Sequence, residues 1–197
     1  IGNHSTGKMG VAIAEEFSRR GAEVFLVLGP ESVVPENQHI HIERITSADE
    51  MLAACMHRFS NVKVAVLAAA VADYKPASVA AEKIKKSSDT LALELVSTPD
   101  IAEALGKMKK PVQHLIGFAL ETSEGSKNAK EKMTRKNMDM IVLNNPRDAG
   151  AGFGHDTNKV SFLFPDNKEE HFELKSKRAV AHDIAEAIHQ MIKANAK

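Results

Sequence analysis

The chain has 197 residues, of which 43% are hydrophobic and 26% charged, the balance of a globular protein able to bury a full core. Its 26 basic and 26 acidic side chains cancel, which argues against a general nucleic-acid binder, whose affinity rests on a basic excess. Cys55 is the one cysteine, so an internal disulfide is excluded. No apolar run reaches the roughly 20 residues of a membrane helix, and no signal-peptide pattern opens the chain. A cytoplasmic protein is expected, with neither nucleic acid nor membrane as partner. The first residue is Ile1 rather than Met, so a fragment or a processed product is expected.

Helical and strand patterns alternate along the chain, which points to a mostly parallel sheet covered by helices. Met9, Ile13 and Phe17 have helical spacing over residues 8–20, with Gly21 as a C-terminal cap. Val24 to Leu28 is a continuous apolar run of the buried parallel type, and Ile40 to Ile45 alternates. Ser47 and Glu50 have capping-box spacing ahead of a helix to about Phe59. Val62 to Ala69 reads as a central strand, residues 70–90 as a long lysine-rich connection, and Leu91 to Val96 as a strand. Thr98 and Pro99 read as an N-cap and first helical residue. His114 to Ala119 and Met140 to Leu143 are strands around a basic helix from about Ser126 to Lys136. Lys159 to Phe164 and His171 to Leu174 read as a hairpin turned at Pro165 to Lys168. The last helix places Val180, Ile184, Ile188, Met191 and Ile192 on one face. One domain is expected.

The segment Gly2 to Gly10 (GNHSTGKMG) leads straight into the first helix. Small residues admit a ligand to the backbone, and a helix N-terminus offers free N–H groups to an anion. A phosphate cradle is the expectation, although no standard motif is complete. Gly2, Gly7 and Lys8 fit a P-loop, but Met9 stands where a magnesium-binding hydroxyl belongs. A dinucleotide site wants an acid after the next strand, and that strand ends Leu28-Gly29-Pro30. A glycine-rich turn without a ligand is the plainer alternative.

Asp73 leaves the apolar run at what should be the carboxyl end of a strand, where doubly wound sheets bind ligands. A turn-capping role is equally open to it. Beyond it, Lys83, Lys85 and Lys86 form either a solvated face or a mobile lid over the opening cradle. The nine histidines never take a zinc spacing, and no metal ligand is identified. Cys55, Met51, Met56, Met108 and Met133 read as packing residues.

In order along the chain, Asn3-His4-Ser5-Thr6-Gly7-Lys8-Met9-Gly10, Ala69-Ala70-Val71-Ala72-Asp73-Tyr74, Lys83-Ile84-Lys85-Lys86 and Thr98-Pro99-Asp100-Ile101 closely resemble the bacterial phosphopantothenoylcysteine synthetases. The series continues with Gly117 to Thr122, Arg135 to Ile141, Asn144-Asn145, Phe153-Gly154, Asp156 and Asn158. The resemblance covers essentially the whole chain. It implies an α/β, Rossmann-like three-layer fold with a mostly parallel central sheet and a C-terminal β-hairpin. The strand and phosphate-contacting loop that the family carries upstream of the opening motif are not present in these 197 residues.

The resemblance further implies a ligase that joins 4′-phosphopantothenate to L-cysteine with CTP and Mg2+, by way of an acyl-cytidylate. Asn3 would hold that intermediate, and Lys83 would stand over the reacting phosphate. Ser5, Gly7, Lys8 and Gly10 would contact phosphate, and Ala70 and Asp73 the nucleotide. Pro99, Asp100, Ile101 and Ala102 would bind through a helix start, with Phe118 flanking the base. Lys132 and Lys136, one helical turn apart, would share an anion; simple solvation is the alternative. Glu121 is a candidate orienter. A homodimer is implied, with the C-terminal hairpin as the expected contact, as is a fused or associated phosphopantothenoylcysteine decarboxylase domain. An NAD(P)-dependent reductase and a non-catalytic nucleotide-binding module are the competing readings.

Overall fold

The computed structural model describes residues 5–30, 32–80, 82–85, 90–120, 125–144, 150 and 154–195. The chain opens with α1 (Lys8–Arg19), followed by β1 (Val24–Leu28) and β2 (Ile40–Arg44), which pair in parallel. Helix α2 (Ala48–Phe59) begins where the sequence places it: Ser47 Oγ accepts the Glu50 N–H, and the Glu50 carboxylate takes the Thr46 N–H. Then come β3 (Val64–Leu67), β4 (Tyr74–Pro76) and β5 (Leu95–Ser97). Helix α3 (Ile101–Met108), β6 (His114–Leu120), α4 (Gly125–Arg135) and β7 (Met140–Asn144) follow. The chain continues through β8 (Thr157–Asn158), β9 (Val160–Leu163), β10 (Glu169–His171) and β11 (Lys175–Ser176) to α5 (Lys177–Asn195).

The main sheet has the order β10-β9-β7-β6-β3. Strands β3, β6 and β7 run parallel, and the β9–β10 hairpin is added antiparallel to β7. Because successive strand residues face opposite ways, the strands feed two cores. Ile116, Met140, Val142, Val160 and Phe162 pack with Val180, Ile184 and Ile188 of α5 and Ile13 of α1. Leu115, Ile141 and Leu163 pack on the other side with Phe59 of α2, Leu105 of α3 and Met133 of α4. The result is the expected three-layer α/β arrangement. Strands β1 and β3 each have an edge without a strand partner among the described residues, and both are only half-buried over most of their length.

Several boundaries move. Helix α3 starts at Ile101, with Asp100 as its N-cap, because the Asp100 carboxylate accepts the Glu103 N–H; Thr98 instead bonds back to the Ala72 carbonyl. The connection over residues 70–90 contains β4, which pairs antiparallel with β5. Leu91 to Glu94 lie outside the strand expected there. The return strand of the hairpin is Glu169–His171 rather than His171 to Leu174, since the turn is tighter, with Asn167 at φ 65°. Val160, Phe162 and Leu163 of that hairpin are buried within this chain, so the apolar groups expected to meet a second subunit already have partners. Met56 is exposed rather than packed. Cys55 packs beside the second core, and burial pushes its thiol up to about 11, with Glu43 adding to the shift. Among the described residues, no helix is long and apolar enough to cross a membrane.

Candidate functional site

Parallel pairing brings the carboxyl ends of β3, β6 and β7 to one edge of the sheet. The N-terminus of α1 reaches the same edge. Its N-cap, Gly7, has φ 72° and no side-chain cap, so among the described residues the first N–H groups of the helix have no side-chain acceptor. Glycine is required at this position twice over. A side chain would be strained at that φ, and a Cβ would stand 2.8 Å from Ser32 Cβ. The loop ahead of it is held by a 3.0 Å bond from Val33 N–H to the Thr6 carbonyl. Gly10 faces the end of β3, where an added Cβ would make an ordinary contact of 3.8 Å with Ala68.

A cavity of about 170 Å³ opens between these ends. Ser5 to Met9 form one wall, Ala68 to Ala70 a second, and Phe118 to Leu120 a third; Asn144, Asn158 and Lys177 close it. Of the residues expected to bind nucleotide, Ser5, Gly7, Lys8, Ala70 and Phe118 line this cavity. Phe118 also packs against the first core. Lys8 Nζ lies 2.7 Å from Asp156 Oδ1, and its bond and charge hold the Asp156 carboxyl below the usual carboxylate range.

Other expected residues sit elsewhere. Asp73 and Lys83 are exposed and do not line the cavity. The Asp73 carbonyl accepts the Thr98 N–H at 2.9 Å, which straps the start of the exposed arm to the approach to α3. Asp100 and Lys136 meet at 2.7 Å, so the lysine expected to share an anion with Lys132 has a carboxylate partner at the start of α3. Lys132 is half-buried, Ile101 is in the second core, and Pro99 and Ala102 are half-buried beside it. Asn3, Lys86 and Glu121 lie outside the described residues.

Sequence reasoning missed Lys177 as a site residue, and took Asn144 and Asn158 only as parts of a resemblance. Nothing local distinguishes a lysine that opens a long helix. The signal lies in β8 and β11, which pair Thr157–Asn158 with Lys175–Ser176 and so bring residues far apart in the chain to one corner.

A glycine-opened helix N-terminus at the carboxyl ends of parallel strands is the arrangement with which folds of the doubly wound α/β class meet anionic ligands. The family described as the DNA/pantothenate metabolism flavoprotein C-terminal domain matches residues 1–192, and the chain belongs to that family. It is 48% identical over 188 residues to a cysteine/cysteine sulfinic acid decarboxylase of an unknown prokaryotic organism, covering 95% of this chain and 52% of that protein. It is 40% identical to the coenzyme A biosynthesis bifunctional protein CoaBC of Haemophilus influenzae, over 95% of this chain and 46% of that one. The chain thus spans about half the length of these curated relatives. The solved C-terminal domain of a CoaBC protein superposes with a TM-score of 0.81 at 37% identity, covering 96% of this chain and 85% of that domain.

Proposed function

We propose that this chain is the synthetase domain of coenzyme A biosynthesis, a phosphopantothenate–cysteine ligase that uses CTP. The observation that carries the reading is the cavity at the α1 N-terminus, in a chain that matches the CoaBC C-terminal domain over 96% of its length. On this reading the pantothenate carboxylate oxygen attacks the α-phosphorus and pyrophosphate leaves. The cysteine amine then attacks the acyl carbon, the C–O bond to phosphate breaks, CMP leaves, and the amine proton passes to solvent or a base.

The chain's own residues supply binding and charge. The first turn of α1 and the small residues Ser5 and Gly7 take phosphate oxygens. Asn3 donates from its amide to the acyl group without adding charge. Lys83, on its exposed segment, brings an ammonium to the reacting phosphate; charge stabilisation of this kind counts most when it is made only in the transition state. Asp73, Pro99 to Ala102, Phe118, Lys132 and Lys136 complete the nucleotide contacts, with Lys136 leaving Asp100 to do so. Among the described residues no cluster of three or more His, Cys, Asp or Glu side chains gathers, so Mg2+ belongs to this proposal as a companion of the triphosphate oxygens.

A homodimer is part of the proposal. The arm from Tyr74 to Val96 supports it better than the hairpin does, because Tyr74, Val79, Ile84, Leu91, Leu93 and Val96 are all exposed. The bifunctional name of the CoaBC relatives supports a decarboxylase domain in the same or an associated chain.

Pyrophosphate release with CTP, 4′-phosphopantothenate and cysteine tests the reading. Release that requires all three and falls at least tenfold with ATP is expected; equal rates with both nucleotides would remove CTP from it. Carbon dioxide release from cysteine or cysteine sulfinate by this chain, without nucleotide, would replace the ligase with the activity in the name of the 48% identical relative.

A further inference from the structure

Helices α2 and α3 open with acids, Asp49 and Glu50 in one and Glu103 in the other. These complement the positive end of a helix dipole. Helix α1 has no acid in its first turn and begins with a lysine, Lys8. A cation there opposes the dipole unless an anion lies beside it. The chain brings one from 148 residues away: Lys8 Nζ donates to Asp156 Oδ1 at 2.7 Å.

The backbone and the side chain of Asp156 are held differently. Its carbonyl accepts the Lys177 N–H at 2.9 Å, at the start of α5. The next residue, Thr157, is paired with Ser176 between β8 and β11. The carboxylate, by contrast, is 85% exposed, and the side chain of Lys8 is 36% exposed. The pair can therefore part by rotation of two side chains while the backbone keeps its place. The bond and charge of Lys8, and then the charges of Lys177 and His155, favour the ionised form of this carboxyl, so Asp156 is an anion near neutral pH.

Lys8 also lines the cavity, with Ser5 to Gly7 and the ends of β3 and β6. The surface pairs Arg19–Glu16, Lys107–Glu103 and Lys168–Glu170 have no member in that lining. An anion that settles on the first N–H groups of α1 comes within reach of Lys8 and of the carboxylate that Lys8 already holds. It is attracted by the one and repelled by the other.

We propose that Asp156 is a built-in competitor at the anion site, an autoinhibitory contact whose carboxylate holds Lys8 until a phosphate-bearing ligand takes the lysine away. The contact lowers affinity for every such ligand. On the ligase reading it also gives the cavity a way to discharge pyrophosphate, because Asp156 takes the cation back as the product leaves.

Calorimetric titration of pyrophosphate into Asp156→Asn and the parent protein is the first test. The variant keeps the shape of the side chain and the backbone contacts, and its melting temperature should stay nearly unchanged, since an exposed pair contributes little. Its Kd for pyrophosphate should fall about fivefold, the upper end of what such a pair is worth. The gain should fade at 1 M NaCl, where exposed charges are screened. An unchanged or higher Kd in the variant would overturn the proposal, as would a gain that salt does not reduce. The parent protein supplies a second test that needs no variant. The carbon NMR shift of the Asp156 carboxyl, followed against pH, should give a pKa that rises when pyrophosphate saturates the protein, because Lys8 has left. A pKa unmoved by pyrophosphate would reject the competition. Neither measurement needs CTP or turnover, so both stand if the ligase reading fails. Absence of pyrophosphate binding by the parent at tens of millimolar rejects the proposal even if the ligase activity is found.

Discussion

Strands β6, β7 and β9 and the arm from Tyr74 to Ser97 both carry many aliphatic residues, yet the fold treats them in opposite ways. Ile116, Val142 and Phe162 are fully buried, whereas Val79 is 91% exposed and Leu91 67%. The difference lies in layers. Each strand of the first group has strands beside it and helices on both faces. The arm has the β4–β5 pairing, extended by the Ala77 N–H bond to the Glu94 carbonyl, and is anchored to α2 by the Lys75–Asp49 ion pair. A two-stranded ribbon is marginal in water until a surface covers it. The packed region thus fixes the position of the cavity. The arm is where a charged group can move without disturbing the core.

That contrast breaks first, and hardest, at Phe162. Its ring lies 4.5 Å from that of Phe172 and is fully buried in the first core. Phe162→Ala removes the ring from a site closed by α5 and should lower unfolding free energy by about 3–5 kcal/mol. Urea denaturation measures it, and a loss below about 1 kcal/mol would mean that the hairpin is no part of the packed region.

Lys83 tests the other side. It is exposed, so Lys83→Gln should leave the melting temperature nearly unchanged. Turnover should fall by roughly 10²-fold, the effect of losing one electrostatic contact to a transition state. Near-normal turnover would return the lysine cluster to a solvated face, and a large drop in melting temperature would mean that the arm is packed in solution.

Gly106 marks the border between the helices of the second core. A Cβ there would stand 2.0 Å from the Lys136 carbonyl oxygen, and Asn137 Nδ2 already donates to the Gly106 carbonyl at 3.0 Å. Gly106→Ala must push α3 from the end of α4, at about 1–3 kcal/mol. An exposed helix glycine would instead gain stability from the change. A rise in melting temperature would therefore show that the two helix ends do not touch.

What was legible in the sequence follows the range of each interaction. The Ser47–Glu50 cap, the apolar runs of β6 and β7, the buried face of α5 and the turn at Asn167 are set within a few residues, and the sequence shows them. The opening glycine loop was legible for the same reason: Gly7 needs its φ, and a helix follows at once. Strand β4 was missed because Tyr74-Lys75-Pro76 has no strand pattern of its own and exists through its pairing with β5. Asp100 was read as an inner residue of the helix start because Thr98-Pro99 looks like a cap; its contacts with Glu103 and Lys136 decide otherwise. The Lys177 corner was invisible because its members come from β7, β8, α1 and α5, and no spacing along the chain encodes that meeting.

The smallest effect concerns the Asp100–Lys136 pair. Burial of Asp100 pushes its carboxyl up, but the Lys136 bond, the Glu103 N–H and the nearby Arg135 outweigh it, and the net pKa lies below the ordinary value. A carboxyl depressed in the folded state stabilises above its unfolded pKa of about 3.9, and the gain disappears as pH falls through the lower folded value. Asp100→Asn isolates that contribution, because asparagine caps a helix about as well as aspartate. The carboxylate is 39% exposed, so solvent screening limits the loss to under about 1 kcal/mol at pH 7. The difference between parent and variant should stay level from pH 7 to about 5 and shrink below about 4. A difference that held constant down to pH 2.5 would mean that the variant had lost the cap rather than the charge. Lys136 would then be free of Asp100 in solution, and its partner on this surface would have to be an anion from outside the chain.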